Sequence, residues 1–316
     1  MSANQNSDPA VSVIIPTHNR ASVLAATVSS ALAQTYPNKE IIVVDDGSTD
    51  DTAKVMAAFP GVIFRQKSQG GPASARNRAL REASGTIIAP LDSDDAWDPD
   101  YLTNAVAGLE ATGAGFVCTS YRGCRRDGTI TYANYYTETR PHLGPYLTEQ
   151  RGDWFFLETA RARELFIAHS EAPSSAVVLR RSVLEQGWDD RLFGTEDHMI
   201  LIQAIMDHSC SAAISLTPRW TKNTGTGNIY DESAALGRHA RMNILLRRIV
   251  SERWDQRLTA AEVATLRQRN AMDYADWAYF ESSQRRRLSA LARYLQSAFS
   301  DWSVVAERLR KRVKAS

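Results

Sequence analysis

Several features that would settle a function outright are missing from this sequence. No apolar run reaches the roughly 18 residues that a membrane-spanning helix needs, so none is expected. The polar opening from Met1 to Pro9 lacks an apolar h-region, so no signal peptide is expected either. The three cysteines, Cys118, Cys124 and Cys210, fit no zinc spacing and are too few for a disulfide framework. They read as free thiols of a reducing cytoplasm. No Gly-x-Gly-x-x-Gly follows the first apolar run and no Walker A sequence occurs, which counts against hydride transfer and P-loop chemistry. Charge of one sign is also lacking. The 37 Lys and Arg against 36 Asp and Glu leave +1, so no overall field draws nucleic acid.

What is present is a globular composition, 43% apolar and 23% charged over 316 residues, enough for a large α/β domain with a helical appendage. Val11 to Ile15 is a β-branched run before Pro16 and reads as a buried strand. Ile41 to Val44, Val62 to Phe64, Thr86 to Pro90 and Gly115 to Thr119 read the same way. Between them lie helical stretches: Leu24, Val28 and Leu32 after an N-cap at Asn19, then Val55 to Ala58, then Ala73 to Ala83, then one from Pro99. Strand and helix alternating at this spacing predict a mostly parallel sheet covered by helices on both faces. Asp127-Gly128 suits a hairpin turn. Val177 to Leu179 reads as a strand and Met199 to Met206 as a helix. Pro218 to Asp231, rich in glycine and threonine, reads as a loop. Residues 137–172 give no clear pattern, and the chain reads helical from about Glu232.

In such sheets ligands bind beyond the carboxyl ends of the strands, and the polar clusters fall there. The strongest is Leu91-Asp92-Ser93-Asp94-Asp95. Carboxylates packed this closely repel one another unless a cation offsets them. Oxygen-only ligation suits Mg²⁺ or Mn²⁺ bridging a diphosphate. The same stretch would otherwise be a solvated acidic turn capping the next helix. Asp45-Asp46-Gly47-Ser48 ends the second strand, where a ribose or base is often held, although such residues also make ordinary polar turns. Gly70-Gly71-Pro72 permits close backbone approach, and Arg76 offers a planar fork for a base carbonyl or a phosphate.

Taken in order, these segments resemble the family 2 glycosyltransferases of the GT-A fold. The matching pieces are Val13 to Arg20, Gln34-Thr35-Tyr36-Pro37, Ile41 to Asp50, Gly71, Ala75-Arg76-Asn77, Ala83-Ser84-Gly85 and Leu91 to Trp97. The match resumes at Pro173-Ser174-Ser175 and at Gly194-Thr195-Glu196-Asp197. The resemblance implies a GT-A catalytic domain over 11–230, its donor half 11–120 and its acceptor half 121–230, after a disordered segment 1–10 and before a helical region 231–316. It implies that Pro16, Thr17, Asn19, Arg20, Asp45, Asp46, Arg76, Asp92, Ser93 and Asp94 line a nucleotide-sugar site, with a UDP-sugar the expected donor. It implies that Asp94 and Asp95 hold Mn²⁺ or Mg²⁺, and that Asp197 deprotonates the acceptor hydroxyl. Glu196-Asp197 would also serve simply as a helix N-terminus, and His198 reads as a surface residue beside it. Relatives often carry a histidine in the loop after the base; here Arg219 and Lys222 stand there and could offset phosphate charge.

The implied activity is inverting sugar transfer to a saccharide or lipid-linked acceptor in polysaccharide or glycoconjugate synthesis. A sugar-phosphate nucleotidyltransferase and a non-catalytic nucleotide-sugar binder are the alternatives. The tail mixes tryptophans with arginines, and Leu288, Leu291 and Leu295 recur at heptad-like spacing. Packing on the domain, homo-oligomer formation and peripheral contact with the inner face of a membrane are all open for it. Nucleic acid is not an expected partner, because no binding motif accompanies the basic stretch.

Overall fold

The computed structural model describes residues 10–125, 127–224 and 235–306. The strands are β1 Val11–Thr17, β2 Lys39–Asp45, β3 Ile63–Gln66, β4 Ile87–Pro90, β5 Ala96–Trp97, β6 Phe116–Thr119, β7 Arg122–Cys124, β8 Ile130–Tyr132, β9 Glu149–Arg151, β10 Trp154–Leu157, β11 Val177–Arg180, β12 Ala212–Ser215 and β13 Trp220–Asn223. The helices are α1 Ala21–Leu32, α2 Thr52–Met56, α3 Pro72–Glu82, α4 Tyr101–Thr112, α5 Tyr135–Thr139, α6 Thr159–Ala168, α7 Glu196–His208, α8 Ala235–Arg253, α9 Ala260–Ser283 and α10 Arg287–Ser300.

A nine-stranded sheet runs β3-β2-β1-β4-β11-β6-β12-β10-β9, and a smaller one runs β5-β13-β7-β8. In the large sheet β3, β2, β1 and β4 are parallel neighbours, as are β6 and β12; β11 and β10 run against the strands beside them. This is the expected mostly parallel α/β architecture. The β-branched runs explain its centre. Val13, Ile14, Ile15, Ile42, Val43, Val44 and Ile88 are wholly buried, as strands covered on both faces must be. Helix α4 lies tight against the sheet because position 108 is glycine; a Cβ there would meet the Trp154 ring at 2.3 Å.

Three local expectations need correction. Pro16 does not end β1, which pairs with β2 through Thr17↔Asp45. Proline is tolerated so near the strand's end because few ladder bonds remain to be lost. Asn19 is not the N-cap of α1. It sits at φ +52° in the turn before the helix, and the first helical N–H, that of Ala21, donates to Asp50 Oδ2 at 3.0 Å instead. A carboxylate from the second strand's loop thus caps the first helix, a pairing local pattern cannot show. The loop read over 218–231 contains strand β13 at its start; residues 225–231 of it lie outside the described residues, as do Met1–Pro9 and the basic positions Arg308–Lys314.

The chain divides into two compact units. The first, residues 1–163, 171–191 and 196–225, holds both sheets. The second, residues 164–170, 192–195 and 226–316, holds α8, α9 and α10. Within it α9 starts on a capping box, Thr259 with Glu262. Arg247 of α8 reaches α9 through Asn270 at 2.8 Å and through Asp273.

Candidate active site

Because β1, β2 and β4 are parallel neighbours, their carboxyl ends open on one edge of the sheet. Asp45 ends β2 fully buried. Its Oδ1 accepts from Ser48 N at 2.9 Å and Ser48 Oγ at 2.5 Å, and its Oδ2 from Gln66 Nε2 at 3.2 Å. Beside it in register, Thr17 is buried, and its hydroxyl has no hydrogen-bond partner among the described residues. Such a group is costly unless something pairs with it, so a polar ligand at this edge would find a waiting hydroxyl. Pro16 is buried under the same edge. Asn19 ties the first loop to the second, its N–H donating to Ser48 Oγ and its Oδ1 accepting from Thr49 N, each at 2.8 Å.

Asp46 has another task. Its Oδ1 accepts from Lys67 Nζ at 2.6 Å and Gly70 N at 2.9 Å, and its Oδ2 from Gly71 N at 2.7 Å. The carboxylate therefore fixes the backbone leading into α3, where Gly71 takes φ +89° before Pro72. Asp46→Ala is expected to cost about 1–2 kcal/mol, since it removes the carboxylate that three part-buried donors share. Urea unfolding would read this. A loss below about 1 kcal/mol would mean that something else holds the glycine loop.

The acidic run follows β4. Ser175 Oγ accepts from Asp92 N at 3.0 Å and donates to Asp95 Oδ2 at 2.7 Å. The other Asp95 oxygen accepts from Asn223 N at 3.1 Å. Asp95 is buried with both oxygens engaged, Ser93 is buried beside it, and Asp94 remains partly open, 3.8 Å from Arg20. Burial pushes the Asp95 carboxyl up to about 7; Lys222, 3.8 Å away, opposes this, while Asp92 and Asp94 add to it. Asp94 is raised as well, first by burial and then by Asp92. The set is thus short of positive charge, which is the electrostatic fit for a divalent cation at Asp94, with Asp95 beneath.

Arg76 gathers the rest. Ala73, Ala75 and Ala79 are small and buried, so α3 can lie close and Arg76 is only 3% exposed. Its Nη2 is 2.7 Å from Asp92 Oδ1; its Nη1 is 2.9 Å from Glu196 Oε1 and 3.5 Å from Asp197 Oδ1. Burial works against its charge, but Asp197, Asp92 and Glu196 more than compensate and its pKa is raised. Glu196 is raised by burial and by Asp197, with Arg76 opposing. Asp197 stands at the first turn of α7, partly exposed, accepting from Ser174 N at 3.1 Å and from Ser174 Oγ. Residues more than a hundred positions apart therefore meet around one guanidinium.

Other residues fall elsewhere. Arg219 pairs with Asp100 at 2.8 Å and Asp153 at 3.1 Å, not with the acidic run; of the two basic candidates only Lys222 reaches it. His198 is buried in α7, contrary to the surface position expected, because α7 is buried along almost all of its length. Sequence reasoning quoted Ser174 and Ser175 without giving them work. They turn out to hold Asp197 and to join Asp92 to Asp95. It also missed an aromatic group in which Tyr121 stacks on Tyr135 at 4.3 Å and lies 4.4 Å from Trp220. The half-buried Tyr132 completes it and senses the charges of Lys222 and Asp95.

The profile of glycosyl transferase family 2 matches residues 12–188, which takes in Asp45, Arg76 and the acidic run and stops short of Glu196. Over 131 residues the chain is 38% identical to the UDP-Glc:alpha-D-GlcNAc-diphosphoundecaprenol beta-1,3-glucosyltransferase WfaP of Escherichia coli, covering 40% of this chain and 47% of that one. The chain spans about half the length, or less, of the curated relatives it matches. Among solved structures, the mannosyltransferase PcManGT of Pyrobaculum calidifontis, in complex with GDP-Man and Mn²⁺, superposes with TM-score 0.60 at 21% identity over 98% of this chain and 81% of that one. Residues 1–349 of S. aureus TarS, in complex with UDP-GlcNAc, give 0.57 at 16% identity over 94% and 92%. These likenesses establish the fold.

Proposed function

Because this chain belongs to the family 2 glycosyltransferases, we propose that it transfers a sugar from a nucleoside-diphosphate donor, UDP-linked, to an acceptor hydroxyl with inversion at the anomeric carbon. The observation that carries the reading is the Arg76 fork. It brings Asp92 of the donor edge and the Glu196-Asp197 pair together around one guanidinium, the juxtaposition needed if one holds the donor and the other activates the nucleophile.

Thr17 and Asp45 would receive the base or ribose, and Asp92 the donor sugar or ribose. A divalent cation on Asp94, with Asp95 behind it, would supply charge neutralisation of the departing diphosphate. Lys222 and Arg20 add positive charge on the same side. Asp197 takes the proton of the acceptor hydroxyl as its oxygen attacks the anomeric carbon. The bond from that carbon to the phosphate oxygen breaks, and the nucleoside diphosphate leaves with the electron pair. Attack opposite to departure gives inversion. Ser174 keeps Asp197 aimed through its two hydrogen bonds. The half-buried ring of Tyr132, on the Lys222 side, offers a platform for the acceptor sugar ring.

The product would be a polysaccharide or a lipid-linked glycan, as the name of the E. coli relative suggests. None of the described helices is long and apolar enough to cross a membrane. A lipid-linked acceptor would bring the protein to the cytoplasmic face of a membrane from outside the bilayer.

Thermal shift tests the donor site. UDP or a UDP-sugar with Mn²⁺ should stabilise the protein by about 2.7 kcal/mol at a hundredfold excess over Kd. Because Asp95 holds its proton up to about 7 in the metal-free protein, a cation beside it competes with that proton. Apparent Mn²⁺ affinity should therefore weaken as pH falls from about 8 to 6. If no nucleoside diphosphate shifts the melting curve with metal present, the donor reading fails.

A further inference from the structure

Helix α10 turns its packing logic inside out. The face it lays on its neighbours is small or polar. Ala290 and Ser297 are buried, Ser297 Oγ donates to Ala271 O at 2.7 Å, and the Arg293 guanidinium lies 3.7 Å from the centre of the Trp277 ring. The large apolar side chains point the other way. Leu288, Leu291, Leu295 and Phe299 recur at steps of three and four, one stripe of a helix, and all are exposed: Leu288 by 85% and Phe299 by 89%. Trp302, just past the helix, continues the stripe at 64%. A helix that packs with its small residues and shows its leucines to water is rare unless something covers the leucines.

Charge says what does. Arg285, Arg286 and Arg287 stand exposed at the head of the stripe, and from 285 to 306 the sequence holds Asp301 as its single acid. Basic residues Arg308, Arg310, Lys311, Arg312 and Lys314 come next in the sequence. A second copy laid along the stripe in parallel would set arginine cluster against arginine cluster. A bilayer interface can receive an exposed apolar stripe of this kind without supplying a groove matched to it. Leucine and aromatic residues on one side with arginine at the edge are the chemistry of an interfacial helix. We propose that α10 and Trp302 dock this protein onto an anionic bilayer surface, the apolar stripe entering the headgroup boundary and the arginines meeting lipid phosphate.

The test is vesicle co-sedimentation of the full chain, without donor or acceptor, so that its failure would leave the transfer reading untouched. Vesicles of phosphatidylcholine containing phosphatidylglycerol should bind the protein at least tenfold better than pure phosphatidylcholine, and salt should weaken binding. Leu291→Glu with Phe299→Glu should lower binding at least tenfold with unchanged circular dichroism and melting temperature, because both side chains are exposed. The milder Leu295→Ser should lower it in part. The proposal is overturned if the unaltered chain ignores anionic vesicles, or if the double substitution binds as well, leaving the basic tail alone responsible. It is equally overturned if sedimentation shows a dimer that the double substitution dissolves, which would assign the stripe to self-association.

Discussion

Asp197→Asn is expected to lower sugar transfer by roughly 10²–10⁴-fold while donor affinity stays within about threefold, a free-energy change near 0.7 kcal/mol. An amide has almost the shape of a carboxylate. Its oxygen can still accept from Ser174 N, and the Ser174 hydroxyl can turn to accept from the new N–H₂ group, so the first turn of α7 should stay as it is. What is lost is the ability to take a proton. A sugar hydroxyl is a poor nucleophile until its proton has somewhere to go, and among the described residues no other partly exposed carboxylate pairs with Arg76 from the α7 side; Glu196 is buried against the guanidinium. Donor titration by calorimetry and turnover with acceptor, measured on the same preparation, separate the two effects. Full-rate transfer in the variant would remove Asp197 as the base. Equal loss of donor affinity and turnover would make it a donor ligand instead. A protein that merely binds nucleotide sugars would show no transfer to lose.

Much of this site could be read from the chain because its residues lie at the ends of strands whose hydrophobic patterns are strong. Val11 to Ile15, Ile41 to Val44 and Ile87 to Pro90 announce themselves, and each is followed directly by its polar cluster. What pattern could not supply is anything that depends on which loop meets which. Asp46 read as a ligand contact, yet it spends its hydrogen bonds on the Gly70-Gly71 backbone. Asp50 caps a helix whose first residue, Ala21, lies 29 positions earlier. Arg219 and Lys222 are three positions apart and looked interchangeable, but they lie on an extended segment entering and forming β13, and only Lys222 is brought near Asp95. The stretch 137–172 resisted reading because most of its pieces are short: a five-residue helix, a 3₁₀ turn and two strands of three and four residues. None of these is long enough to develop a period, and α6, Thr159–Ala168, crowds its large apolar residues into Leu165, Phe166 and Ile167 instead of spacing them along the helix.

Arg76→Met should cost about 3–5 kcal/mol of stability, the usual consequence of removing one member of a buried ionic set, and it should do so in a pH-dependent way whose sign can be worked out. In the intact protein Glu196 already titrates above its ordinary value of 4.5 because of burial and Asp197, and Arg76 is the group holding it down. Without the guanidinium it must rise further. A carboxyl whose folded value exceeds its unfolded one binds protons more tightly in the native state, so native stability falls as pH climbs from the unfolded value toward the folded one. The variant's deficit against the unaltered protein should therefore be small near pH 4.5 and grow as pH rises, levelling off once Glu196 has ionised in both states. Arg76→Lys separates charge from geometry: an ammonium restores much of the electrostatic balance but cannot reach Asp92 and Glu196 together, because it lacks the planar fork. Its stability should lie between the other two, and its transfer rate should stay low, since aiming the α7 carboxylates at the donor edge requires both arms. Urea unfolding at several pH values reads the first effect and turnover the second. A Met variant with a deficit independent of pH, or a Lys variant with full activity, would show that the three carboxylates are positioned without the guanidinium, and the coupling of donor edge to base would have to come from the backbone instead.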